Sequence, residues 1–70
     1  VDDFDQAIGL DPNNALAYRN RGLSYNNLGQ YERAIQDYDK AIQLNPHDAI
    51  DYIHRGAAYV NLGPVPTGRR

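Results

Sequence analysis

The chain has 70 residues, with seven basic against nine acidic residues for a net charge of -2, and contains no cysteine. That length admits one small domain with a small core. The missing cysteines exclude a disulfide or thiolate-metal staple, and the charge balance argues against the basic stripe of a nucleic-acid-binding surface.

In chain order, Val1, Phe4, Ala7, Ile8 and Leu10 recur at helical spacing and predict a helix over residues 1–11, broken at Pro12. Asn14 is placed to cap a second helix that starts at Ala15, where Tyr18, Gly22, Tyr25 and Leu28 form one stripe. Gly29 is a natural left-handed stop. A third helix runs from Tyr31 and carries Ala34, Ile35, Tyr38, Ala41, Ile42 and Leu44, until Pro46-His47-Asp48 repeats the break. A fourth spans Ala49 to Leu62. The connections are too short for anything but antiparallel neighbours. Pro64 to Arg70 reads as a flexible tail, with too few arginines at Arg69-Arg70 to hold nucleic acid. No apolar run approaches the roughly 18 residues of a membrane span, so no membrane partner is expected. No signal peptide is visible, and the compartment is left unassigned.

Displaced by 34 residues, the sequence falls on itself. Asp3, Asp5, Ala7, Ile8, Leu10 and Pro12 match Asp37, Asp39, Ala41, Ile42, Leu44 and Pro46. Ala15, Tyr18, Arg21, Gly22 and Tyr25 match Ala49, Tyr52, Arg55, Gly56 and Tyr59, and Asn27-Leu28-Gly29 matches Asn61-Leu62-Gly63. Phe4 pairs conservatively with Tyr38, and Leu16 with Ile50. The match ends at Gly63. A glycine inside a helix costs about 1 kcal/mol relative to alanine. Its recurrence at Gly22 and Gly56 points to close packing of paired helices, with Ala34 as a second small contact and Tyr18, Tyr25 and Tyr38 filling the space around it.

The unit Tyr18-x2-Arg21-Gly22-x2-Tyr25, then Ala34-x3-Tyr38, Ala41 and Pro46, resembles the tetratricopeptide repeat in both period and signature. Two positions depart from the family pattern: tyrosine stands where tryptophan is frequent, and Arg21 and Arg55 stand where leucine is usual. The resemblance covers residues 1–63 and implies an all-α solenoid of antiparallel helix pairs. Residues 1–11 become the second helix of one repeat, 15–48 a full repeat and 49–63 the first helix of another. It also implies a right-handed superhelix whose first helices line a concave groove that binds peptides or proteins.

Beside the core stripe, the second and fourth helices each carry another stripe. In one copy it holds Leu16, Asn20, Leu23 and Asn27, flanked by Arg19 and Asn26; in the other, Ile50, His54, Ala57 and Asn61, flanked by Ile53 and Val60. Core positions are nearly unchanged between copies while this face differs, as a shared scaffold with a tailored surface would. Asparagine amides both donate to and accept from an extended backbone, so Asn20, Asn27 and Asn61 are the expected peptide contacts. Leu16, Leu23, Ile50 and Ile53 are expected to form apolar pockets. One branch of the family clamps a C-terminal carboxylate with lysines, arginine and asparagines. Asn20 fits that pattern and Arg19 stands at one of its lysines, but Leu23, Ile50 and His54 do not match, and no such clamp is expected.

The remaining polar residues read as structural. Arg21 and Arg55 recur at equivalent places, as do Asp3 and Asp37, which predicts an ion pair between a first helix and a neighbouring second helix, with Asp3 and Asp37 both open as partners of Arg21. Asp37 and Asp39 lie two apart and cannot face each other on a helix, and no nucleophile, phosphate loop or metal cluster is legible. An enzyme is therefore not expected, nor a cofactor or metal. Because a repeat cannot bury its apolar face alone, half repeats at both ends leave apolar surface uncovered. That predicts either self-association through the uncapped end helices, as a head-to-tail stack or an exchanged-helix dimer, or a segment of a longer array. The leading functional expectation is a protein-binding module; the alternative is a structural spacer without a ligand of its own.

Overall fold

A computed structural model describes residues 2–63 of the chain. The tail expected at 64–70 lies outside the described residues. The described residues form α1 (Asp2–Leu10), α2 (Ala15–Asn27), α3 (Tyr31–Leu44) and α4 (Ala49–Leu62), with no strand among them. The fold is all-α, a run of tetratricopeptide-like helical hairpins.

Local chemistry sets each boundary. Asn14 adopts an extended conformation, and its Oδ1 accepts the Ala17 amide at 3.1 Å, which caps α2. Asp48 does the same for α4 by accepting the Ile50 amide at 3.0 Å. At the other end of α2, Gly29 takes φ +80°, where a β-carbon would be strained. The Gln30 amide then reaches the Tyr25 carbonyl at 2.8 Å and the Gly29 amide reaches that of Asn26 at 3.0 Å. These are the two bonds of a Schellman cap, and they fold α3 back against α2.

Helix α3 is the centre of the packing. Ala34, Ile35, Tyr38 and Ala41 are buried on it, and Ala34, Ile35 and Tyr38 cluster with Ala58 of α4 while Leu23 and Tyr25 of α2 close over them. Tyr38 has no exposed surface. It lies flat against residue 22: a β-carbon there would come within 2.6 Å of Tyr38 Cε1 and 2.9 Å of Cδ1. Gly22 thus admits the ring, as the recurrence of glycine in the sequence predicts. On its far side the same ring stacks with His54 of α4, centroids 5.8 Å apart at 23°.

The second copy of this contact is open. Nothing lies within 4 Å of a β-carbon at Gly56, because no described helix packs on that side of α4. Tyr59 is 52% exposed and Tyr52 43%, whereas their copies Tyr25 and Tyr18 are half-buried. Tyr52 Oη donates to the Pro46 carbonyl at 3.2 Å and holds the turn before α4. The two glycines are therefore predicted to respond oppositely. Gly22→Ala destabilises on the order of 1–3 kcal/mol by overpacking, whereas Gly56→Ala is neutral or stabilises by up to about 1 kcal/mol through helix propensity. Thermal unfolding followed by circular dichroism separates them.

Candidate functional site

The residues predicted to form a binding face sit on α2 and α4, which flank α3. Leu16 is 56% exposed, Ile50 48% and Ile53 67%; Asn27, Ala57 and Asn61 are exposed as well. The other four are partly committed to the fold. Asn20 is half-buried, Leu23 packs against the core cluster and His54 stacks on Tyr38.

Arg19 is the fourth. Its Nε donates to Asp51 Oδ1 at 2.7 Å, and its Nη2 donates to Asp48 Oδ2. The guanidinium spans from α2 to the start of α4 and fixes the separation of the two helices. Hydrogen bonding to Asp51 leads the causes that raise the Arg19 pKa, followed by an opposing desolvation and the charges of Asp51 and Asp48. A raised pKa means that this stabilisation is complete at every pH below the ordinary guanidinium range and is lost only above it. Asp51 is 1% exposed, and its Oδ2 has no hydrogen-bond partner among the described residues.

Sequence reasoning missed the carboxylates of this bridge, though a signal was present. Ala17 in one copy becomes Asp51 in the other, and Arg19 becomes Ile53. A new acid and a vanished base at neighbouring positions of the repeat mark a contact between copies.

A second set of pairs lies on the other side of α2. Arg21 donates through Nε to Asp37 Oδ2 at 2.9 Å and through Nη2 to Asp37 Oδ1 at 2.7 Å, a fork-to-fork pair. Its Nη1 reaches Asp5 Oδ1 at 3.0 Å. Asp37 is thus the partner left open between Asp37 and Asp3, and the additional carboxylate on α1 is Asp5. Arg55 Nη1 donates to Asp39 Oδ1 at 2.7 Å, one repeat further on. Asp37 and Asp39 accordingly serve opposite neighbours, α2 and α4. Tyr18 and Tyr25 flank the Arg21 guanidinium at 5.6 and 5.9 Å, which packs the cation between two π faces.

These distances leave carboxylates neutralised by arginine. Among the described residues no group of three or more histidine, aspartate or glutamate side chains is arranged to hold a metal ion, and no helix is long and apolar enough to cross a membrane.

The sequence pattern of the tetratricopeptide repeat matches residues 15–48, the segment formed by α2, α3 and the turn into α4. This segment is a tetratricopeptide repeat. A human relative, the small glutamine-rich tetratricopeptide repeat-containing protein beta, is 53% identical over 36 residues, covering 51% of this chain. The chain spans 12% of the length of that relative.

Two stability predictions follow from the geometry. Arg19→Ala leaves Asp51 buried without its donor and lowers stability by about 1–3 kcal/mol. Adding Asp51→Ala, which restores the residue type found at Ala17, recovers most of that loss, and urea unfolding of the single and double variants measures the coupling. The second concerns Tyr38, whose phenol is raised above its ordinary value by burial first and then by the charges of Asp37 and Asp51. Below pH about 10 the phenol is neutral in both states. Above it the unfolded chain ionises first, so stability falls as pH climbs. The urea midpoint is expected to drop above pH about 10, and Tyr38→Phe to make that drop shallower.

Proposed function

We propose that the chain is a segment of a longer repeat array that presents the face shared by α2 and α4 to an extended peptide or a protein surface, with no chemistry of its own. In this reading α1 is the second helix of one repeat, 15–48 a whole repeat and 49–63 the first helix of the next. Tetratricopeptide repeats as a class mediate protein–protein interaction, which supports the coarser half of the proposal.

The finer half rests on one observation: the Arg19 bridge to Asp48 and Asp51 holds the two lining helices at a fixed spacing. A preorganised face loses less entropy on binding than a mobile one. Around the bridge, exposed Leu16 and Ile50 supply apolar contact area, and the amides of Asn20, Asn27 and Asn61 supply both donors and acceptors for a peptide backbone. Fixed spacing with mixed apolar and amide chemistry suits an extended segment better than a compact charged ligand.

Peptides selected from a random displayed library on the 70-residue chain test this reading. Asn27→Ala and Asn61→Ala are expected to weaken the selected peptides about tenfold each, with unchanged melting temperature, because each removes a hydrogen-bonded contact. Gln36→Ala, on the exposed side of α3, is expected to leave binding unchanged. Equal weakening by all three would sink the proposal.

The spacer reading, in which the segment chiefly joins neighbouring repeats, is favoured by a different observation: the vacant packing site over Gly56.

A further inference from the structure

Helix α4 carries an unfilled copy of the seat that α3 occupies on α2. In the filled seat, Gly22 receives the ring of Tyr38, and Arg21 receives the carboxylate of Asp37 through Nε and Nη2. In the open one, Gly56 has nothing within 4 Å of a β-carbon. Arg55 donates through Nη1 to Asp39, and its Nε and Nη2 have no acceptor among the described residues. Exposed Tyr59 stands where the core closes over its copy Tyr25.

The chain also contains a helix of matching chemistry. Helix α1 repeats α3 at a displacement of 34 residues: Phe4 stands for Tyr38, Asp3 for Asp37, Ala7 for Ala41 and Ile8 for Ile42. Within its own chain α1 turns Asp5 toward Arg21, as α3 turns Asp39 toward Arg55. Asp3 lies two residues away, on the opposite side of the helix, and is exposed. On α3 the equivalent side is the one buried on α2. Leu10 is 89% exposed, whereas its copy Leu44 is half-buried. One end of the molecule thus offers a half-used cation beside a glycine notch; the other offers a carboxylate beside an aromatic ring.

We propose that α1 of a second copy of this chain docks on α4, with its Phe4 over Gly56 and its Asp3 on the free side of the Arg55 guanidinium. The two copies are then related by the repeat step, not by a two-fold axis. Such a contact is heterologous and does not close, so each added copy leaves a new open α4. The docked helix is short, so assembly is concentration-dependent and weak.

Sedimentation equilibrium of the 70-residue chain from micromolar to millimolar concentration tests this, with circular dichroism in parallel. The weight-average mass is expected to rise above 7.9 kDa without levelling at a dimer. Gly56→Leu has open space around it, so it keeps helicity while filling the notch, and it is expected to weaken association about tenfold or more. Asp3→Arg and Arg55→Glu are each expected to weaken association when alone, because like charges then meet. An equimolar mixture of the two is expected to associate as the unmodified chain does, since every alternating contact regains opposite charges. A chain that stays at 7.9 kDa with full helicity throughout overturns the proposal. So does a Gly56→Leu variant that associates undiminished, or a mixture no stronger than its components.

Discussion

Tyr38 can lie flat on α2 only because residue 22 has no side chain. The aromatic ring needs the volume that a β-carbon would occupy, and that close approach fixes how α3 sits on α2. The rest of the molecule inherits the placement. With the helices this close, Asp37 falls within fork-to-fork reach of Arg21. The far face of the same ring supplies the surface on which His54 stacks and beside which Ala58 buries. One glycine therefore positions three helices, and its helix-propensity cost of about 1 kcal/mol is offset by a fully buried tyrosine.

Charge is distributed around this packing in a repeating order. Each first helix carries an arginine with a carboxylate on the preceding helix, Asp5 for Arg21 and Asp39 for Arg55. Arg21 gains a second carboxylate, Asp37, from the helix that follows it. Two aspartates two residues apart on α3 thus point to different neighbours, and α3 is tied on both sides. Such partly buried pairs specify register more than they add net stability, since desolvation of the ions opposes their attraction.

Most of the fold was legible in the sequence because its determinants are local. Pro12, Asn14, Gly29 and Pro46 punctuate the chain at the helix boundaries, and the 34-residue self-match predicts which helices share a role. The Gly22 contact was legible for the same reason, as a costly residue kept in both copies. The groove face was harder. Periodicity places Arg19, Leu23 and His54 on one stripe with Asn20 and Asn27, yet Arg19 is consumed by Asp48 and Asp51, Leu23 by the core and His54 by Tyr38. A stripe records direction around a helix axis and not what stands opposite. The choice of Asp5 as the second partner of Arg21 was illegible because Asp3 and Asp5 recur equally, and only the rotation of α1 about its own axis separates them.

The Arg19 bridge makes neighbouring repeats unequal. The cation comes from one unit and both carboxylates from the next, at positions where the first unit carries Asn14 and Ala17. A tandem duplication of residues 15–48 alone would reproduce the glycine notch and the Arg21–Asp37 pair. It would leave every copy of Arg19 facing an asparagine and an alanine. The junction therefore encodes order: these units behave as numbered links, each with a defined successor, and unequal crossing-over between them would conserve the fold while erasing the joint.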